Sequence, residues 1–197
     1  IFLIAILYGC GSSVSPVDQG LIDQVMHIGN GSEPQGLDPH IVTGVPEHHL
    51  LITMCEGLTI SNPEGGANLP GMAESWDISE DGRTYIFNIR KDAKWSNGDD
   101  FTAEDIVWSW MRVLTPSLGS QYPDMLYYLV GAEDFNTGVI TDFSEVGVKA
   151  LDNKTLEVNL INPTPFFLGL LSHYSTWPVH KETVLKFGEI DDRQGLW

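Results

Sequence analysis

The sequence predicts a mixed α/β fold, and three regions carry that prediction. Residues 84–89 alternate apolar and polar side chains, which is the two-residue period of a strand with one wet face. Residues 146–160 show the same alternation on both sides of an Asp152-Asn153 turn, which is typical of a hairpin. Residues 102–114 instead place apolar side chains at helical spacing. Helices and strands are therefore expected together in a chain of 197 residues, enough for one or two domains.

The strand at 84–89 is expected to follow a turn and to pack against the helix after it. Ser79 to Gly82 have the composition of a turn, and Asn97-Gly98 marks a second, tight one. Thr102 can cap the helix, with Asp105 three residues on as the returning partner of a capping box. The apolar side chains predicted to meet in this unit are Tyr85, Phe87 and Ile89 of the strand and Ile106, Val107, Trp110, Met111, Val113 and Leu114 of the helix.

Three tryptophans lie in this strand-turn-helix unit, at Trp95, Trp108 and Trp110. Two interpretations are open, packing in the core or stacking against a ligand, and packing is favoured. A buried tryptophan usually pairs its indole N–H with an acceptor.

Further elements are expected on both sides of this unit. "QVMHIG" (24–29) is a strand candidate, and Pro46 begins a helix whose apolar side chains recur to Leu58, with Gly57 as a possible stop. "PTPFFLGLLSH" and "HKETVLKFG" each predict a short helix. Cys55 lies in an apolar run and is expected to be a small buried side chain; the sequence contains no CxxC pair that would indicate a zinc or redox site.

The charge balance excludes several classes of partner. There are 27 acidic and 10 basic residues, a formal net charge of -17. Nucleic acids and anionic lipid surfaces are bound by clustered Lys and Arg, so neither is an expected partner. The balance is typical of a soluble protein.

The first residues are interpreted as a processed leader. Residues 1–8 are apolar but too few to span a bilayer, which needs about 20, and they resemble part of a signal peptide. "LYGC" resembles a bacterial lipobox, in which Cys10 would carry lipid. The remaining residues to 24 are expected to form a polar linker. The alternative is a buried N-terminal strand.

The search for catalytic motifs leaves one enzyme hypothesis. Neither a GxxxxGK phosphate loop nor a GxSxG nucleophile elbow occurs. His40, Glu47 and His48 could hold a metal ion of a hydrolase, although solvated or capping histidines are the favoured interpretation. This alternative stays open from the residues alone.

A resemblance to a known family adds to these expectations. "AESWDISEDGRTYIFNIRKDAKWSNGDDFTAEDIVWSWMR" (73–112) resembles the bacterial extracellular solute-binding proteins of family 5, the peptide and nickel-binding class. Four further segments resemble its oligopeptide-binding branch: "GSEPQGLDPHIVTGVPE" (31–47), "EGLTI" (56–60), "GVKALDNKTLEVNL" (147–160) and "PTPFF" (163–167).

The resemblance implies a periplasmic binding protein-like fold of class II. Residues 25–55 would begin the first ligand lobe, residues 56–180 would form an inserted α+β lobe, and residues 181–197 would return to the first lobe. The second ligand lobe would follow Trp197, together with the charged residues that bind the ends of a peptide. Two such lobes close on a ligand about a hinge.

The resemblance also implies a site. Thr43, Gly44 and Val45 match the segment that pairs with the backbone of an extended peptide, a mode that gives affinity without demanding a sequence. Tyr122 and His173 match residues that line the ligand cavity.

The function implied is that of a receptor for an ABC importer, not an enzyme and without a cofactor. Its partners would be peptides and the permease subunits, and it would be a monomer. It would reside in the periplasm or cell envelope, anchored through Cys10. Other cargoes remain open: dipeptides, murein peptides, nickel chelates or haem.

Overall fold

A computed structural model describes residues 14–193 of the chain. These residues fall into two compact units, one that ends at Glu33 and one that begins at Pro34. Among residues 14–193, the longest apolar stretches of helix fall short of what a membrane crossing requires.

The first unit contains a helix where a linker was predicted. Helix α1 spans Pro16–Asp23, and the Ser15 hydroxyl caps it by accepting from the Asp18 N–H at 3.1 Å. The strand predicted at 24–29 is wrong, since Gln24 adopts a left-handed conformation and residues 25–29 form no strand. A short apolar run becomes a strand only with a pairing partner, and residues 24–29 have none among the described residues.

The second unit is built around a four-stranded antiparallel sheet. Its strands are β3 (Ala73–Ile78), β4 (Thr84–Ile89), β5 (Val148–Ala150) and β6 (Thr155–Asn159), in the spatial order β3-β4-β6-β5. The register pairs Tyr85 with Val158 and Phe87 with Leu156. A separate two-stranded ribbon joins β1 (Thr59–Ile60) to β2 (Leu69–Pro70). The predicted strand and hairpin are confirmed.

Helix α3 (Ala103–Leu114) packs its apolar side chains into the core of the sheet. Phe87, Ile106 and Trp110 belong to one buried cluster, each with no exposed surface. Burying a side chain of this size contributes about 1.5–3 kcal/mol. The capping box is also confirmed, because the Asp105 carboxylate accepts from the Thr102 N–H at 2.7 Å and from its hydroxyl at 3.0 Å.

The three tryptophans of the strand-turn-helix unit are packing residues. The Trp110 indole N–H donates to the Thr176 carbonyl at 2.9 Å. Trp108 packs with Val179 and Val184 in a second cluster. The Trp95 ring lies 5.2 Å from that of Phe101, but its buried indole N–H lacks a hydrogen-bond acceptor among the described residues.

Helix α2 (Val45–Met54) begins near Pro46, as predicted, but ends three residues before Gly57. Gly57 has a different role: a Cβ there would overlap the Trp177 ring, so this glycine permits close packing and does not stop the helix. The expectation for Cys55 was also wrong. It follows the last turn of α2 in an extended conformation and is exposed, although partial burial of the thiol raises its pKa.

The remaining helices are short. Both helices predicted near the end of the chain are confirmed. The α-helices are α4 (Ala132–Asn136), α5 (Phe167–Leu170) and α6 (Lys181–Phe187), and the 3-10 helices are Pro116–Leu118, Pro123–Leu126, Phe143–Glu145 and Tyr174–Thr176. The second unit contains residues from all three predicted lobe segments, so their division stays a prediction.

Candidate ligand-binding site

Thr43, Gly44 and Val45 form an extended segment that leads into α2. Their backbone N–H groups donate to no acceptor within residues 14–193, and the Thr43 carbonyl accepts from no donor there. Gly44 is extended, with φ -86° and ψ 156°. Thr43 is exposed, and Val45 keeps 65% of its surface exposed. The segment therefore presents unpaired backbone groups at an accessible surface, as a strand edge does.

A cavity of about 430 Å³ lies beside this segment. Its wall consists of Gln35, Gly36, Leu37, Asp38, Ile41, Val42, Thr43, Gly44, Glu47 and Arg193. Thr43 and Gly44 thus border a space that a ligand could enter, whereas Val45 is not part of its wall.

Tyr122 and His173 belong to an aromatic cluster that is joined to Val42, the residue before this segment. Their rings are 5.2 Å apart in an edge-to-face arrangement, and the ring of Tyr174 lies 4.2 Å from His173 and 6.3 Å from Tyr122. The Tyr174 hydroxyl donates to the Val42 carbonyl at 3.2 Å. The structure therefore links the predicted site residues through Tyr174, which sequence reasoning missed although it directly follows His173.

Two rings of this cluster, His173 and Tyr174, are uncharged at neutral pH. Burial lowers the pKa of His173, the nearby His48 lowers it further, and Asp124 opposes them. Burial, followed by the influence of Tyr122, raises the pKa of Tyr174 to about 12. His173 Nδ1 accepts from the Ser175 N–H at 3.3 Å, which places the proton of its neutral ring on Nε2. Neutral rings of this kind can line a pocket for side chains of varied chemistry.

A buried ionic network fixes the residues before this segment. The Arg112 guanidinium is fully buried and pairs with both Asp38 carboxylate oxygens, at 3.0 and 2.6 Å. It also lies 2.9 Å from His40 Nδ1 and donates to the Ile190 carbonyl at 2.8 Å. Sequence reasoning missed this network. The available signal was an arginine placed among the apolar residues of α3, since a buried charge requires a partner.

The same network removes the basis of the metal-dependent hydrolase hypothesis. His40 is 1% exposed, not solvated, and its Nε2 lies 2.8 Å from the Trp177 carbonyl, so both ring nitrogens have partners. Burial is the main cause that lowers the pKa of His40 to about 4. Across residues 14–193, His40, Glu47 and His48 do not form a metal-binding group, and no other set of three such ligands does. Cys10, predicted to carry lipid, lies outside the described residues.

Comparison with known proteins identifies relatives that are binding proteins by name. The periplasmic oligopeptide-binding protein OppA of Escherichia coli is 46% identical over 162 residues, covering 81% of this chain and 29% of that protein. OppA of Salmonella typhimurium is 41% identical over 192 residues, covering 95% of this chain and 35% of that protein. The chain therefore spans about a third of the length of these relatives.

Solved structures agree with the sequence comparison. The structure of Haemophilus influenzae OppA in complex with RPPGFSPFR matches with a TM-score of 0.76 and 41% identity, over 81% of this chain and 31% of that one. The unliganded open form of the murein tripeptide-binding protein MppA matches with a TM-score of 0.75 and 34% identity, over 80% of this chain and 30% of that one. The mixed helix and sheet fold is thus that of periplasmic binding proteins.

The family model described as "Bacterial extracellular solute-binding proteins, family 5 Middle" matches residues 69–194, more than half of the chain. That match and the relatives above confirm the resemblance seen in the sequence. The family and these relatives are solute-binding receptors and not enzymes. The chain is a member of the bacterial extracellular solute-binding proteins, family 5.

Proposed function

We propose that this chain is the N-terminal part of a receptor that captures oligopeptides for an ABC importer. The observation that supports it most is the run of three backbone N–H groups, at Thr43, Gly44 and Val45, that have no acceptor among the described residues. Every peptide carries the carbonyl groups that would accept from them, whatever its side chains. A receptor that pairs in this way binds many sequences with similar affinity.

The surroundings of the segment fit this role. The cavity beside Thr43 and Gly44 leaves room for ligand side chains, and water within it would satisfy their polar groups. Tyr122 and His173 would form an aromatic wall of the same site, joined to it through Tyr174. Thr43 would act through its backbone, since its side chain makes no hydrogen bond to a described residue.

Oligopeptides are the favoured cargo, because this is what several relatives are named for. Other relatives bear the names of dipeptide-binding and murein peptide-binding proteins, and all of these ligands share a peptide backbone. Nickel chelates and haem lack it, so pairing along Thr43–Val45 argues for peptides.

The remaining assignments belong to the same proposal. The receptor would work as a monomer in the periplasm, where the relatives are named as residing, held to a membrane through lipid on Cys10. It would deliver its peptide to permease subunits in the inner membrane. Residues 25–55 and 181–197 would belong to its first ligand lobe and residues 56–180 to the inserted lobe, with a second ligand lobe after Trp197.

The substitution Val45→Pro in the full-length receptor tests the pairing. Proline removes the backbone N–H, and position 45 tolerates it because this N–H is unused by the fold and Gly44 is already extended. Affinity should fall by about tenfold, the value of one hydrogen bond to a ligand, for peptides of every sequence.

Titration calorimetry with three peptides of unrelated sequence measures this. Thr43→Ala, which keeps the backbone, is the matched control and should bind all three as the unaltered receptor does. A loss confined to one peptide would mean that side chains dominate recognition here. Mass spectrometry of peptides that co-purify with the receptor identifies the cargo directly.

A further inference from the structure

Glu47 differs from the other buried ionisable side chains of the described structure. The ionisable side chains with less than a tenth of their surface exposed include Asp38, His40, Glu47 and Arg112. Asp38, His40 and Arg112 bond to one another. Glu47, 4% exposed, stands outside that network and makes no ion pair with a Lys, Arg or His of residues 14–193.

Only one oxygen of the Glu47 carboxylate is used by the fold. Oε1 accepts from the Gln35 N–H at 2.6 Å. Oε2 accepts from no described donor, yet it is not among the polar atoms sealed away from solvent. Glu47 forms part of the wall of the cavity beside Thr43 and Gly44, and Oε2 is its atom nearest to Gly44.

The one basic side chain in the cavity wall does not neutralise Glu47. Arg193 directs Nη1 to the Gly119 carbonyl at 3.4 Å and forms no ion pair with Glu47. The N-terminal turn of α2 offsets part of the cost of burying this carboxylate. A charge buried with one hydrogen bond and without a cation remains costly, and such sites normally hold a partner.

The position of the carboxylate relates it to the proposed ligand. It lies directly against Gly44, where any Cβ would overlap it. A peptide paired along Thr43–Val45 would therefore run past this oxygen. Gly44 thus has two roles here, because it leaves the backbone accessible and gives the carboxylate its place.

We propose that Glu47 binds the ammonium group of a lysine side chain of the peptide. This inference rests on the proposed function and adds to it a charge preference at the cavity. Backbone pairing would then give general affinity, and Glu47 would favour peptides that bring an ammonium group to this point. The N-terminal amine of a peptide has the same chemistry, but the family resemblance implies that its charged partner lies in the second ligand lobe.

A thermodynamic cycle that combines a substitution in the full-length receptor with a change in the peptide tests the role of Glu47. Glu47→Gln keeps the shape and the bond from Gln35 but removes the charge. Calorimetry compares a lysine-containing peptide with its norleucine analogue, and a free peptide with its N-acetylated form. In the unaltered receptor, replacing lysine by norleucine should weaken binding about tenfold, and in Glu47→Gln that difference should vanish. The effect of N-acetylation should be the same in both proteins; if it is this effect that vanishes in Glu47→Gln, Glu47 binds the N-terminal amine and the inference is overturned.

Glu104→Gln is the matched control, because Glu104 also lies in the first turn of a helix but is exposed. It should leave both differences intact. If Glu47→Gln fails to fold, Glu47→Asp replaces it in the experiment. Its side chain is one methylene shorter, so its charge lies farther from the ligand and the difference in affinity between the charged and the neutral peptide should become smaller.

The outcomes separate the two proposals. Equal binding of all four peptides by every variant overturns the role of Glu47 while leaving peptide capture in place. A loss in Glu47→Gln that is the same for charged and neutral peptides makes Glu47 a structural cap of α2 and also overturns the inference. A receptor that binds none of the peptides overturns the proposed function itself.

Discussion

Arg112, Asp38 and His40 show how a single buried cation organises its surroundings. The guanidinium neutralises one carboxylate and lies in hydrogen-bond contact with an imidazole whose Nδ1 accepts. His40 must stay neutral for this arrangement, because a protonated Nδ1 would direct its hydrogen at the arginine. The network is thus stable only while His40 is unprotonated.

This requirement predicts a loss of stability in mild acid. The pKa of His40 is about 4 in the fold and about 6.5 in an unfolded chain. Between these values the unfolded chain binds a proton on His40 that the folded chain does not bind. The contribution of neutral His40 to the free energy of unfolding is therefore complete above pH 6.5 and is lost as the pH falls toward 4. The contribution is about 3 kcal/mol.

Urea unfolding of the full-length receptor at pH 7 and pH 4.5 measures this loss. His40→Gln should make the difference between the two pH values smaller, because it removes the group that titrates. His49→Gln, an exposed neighbour in sequence, is the control and should keep the full difference. An unchanged difference in His40→Gln would show that other groups cause the acid sensitivity.

At the residue scale, the sequence predicts whether a side chain is buried better than it predicts which residues that side chain contacts. The tryptophans were correctly assigned to the core, because large apolar side chains are usually buried in a folded protein. The pairing of Asp38 with Arg112 could not be read from the sequence, since it joins residues 74 positions apart. The Gly57 contact with Trp177 was hidden for the same reason.

At the scale of elements, the strongest local signals were the most reliable. The β4 strand, the hairpin around Asp152-Asn153 and the capping box of α3 all combine a period with a turn or cap, and all three are confirmed. Residues 24–29 were a short strand candidate with neither a turn nor a cap, and they form no strand. α2 was predicted too long because apolar residues continue past its last turn into an extended segment.

The capping box gives a prediction at this scale. Asp105→Ala removes two hydrogen bonds to Thr102 and should lower stability by about 1 kcal/mol. Thermal unfolding of the full-length receptor measures the loss. Glu104→Ala removes an exposed acid from the same turn without breaking a bond and should cost about 0.5 kcal/mol or less. Equal effects of the two variants would mean that helix polarity, and not the cap, matters here.

At the scale of the whole molecule, the candidate site is open along Thr43–Val45. The three backbone N–H groups there find no acceptor within residues 14–193, and Thr43 and Gly44 border the cavity beside them. Composition and periodicity could not have located this site, because an exposed loop before a proline has no distinctive pattern. The family resemblance indicated it, and the unpaired backbone groups supply its physical basis.

The proposed division into lobes predicts how the isolated chain behaves. Residues 1–197 would offer one side of a clamp whose other side follows Trp197, so this piece should bind an oligopeptide roughly a hundredfold more weakly than the full-length receptor. Titration calorimetry with one peptide and both proteins measures the ratio, after circular dichroism has established that the shorter chain is folded. Equal affinities would show that the first lobe holds the ligand unaided.

Arg112 also bears on how the protein is made. Its hydrogen-bond partners lie at Asp38, synthesised long before it, and at the Ile190 carbonyl, synthesised long after. A ribosome adds roughly 5–20 residues each second. For several seconds, therefore, the Arg112 guanidinium belongs to a nascent chain in which not all of its hydrogen-bond acceptors have yet been synthesised. Chaperones that bind nascent chains would have this interval in which to act. The interval ends only when the segment around residue 190 has left the ribosomal exit tunnel.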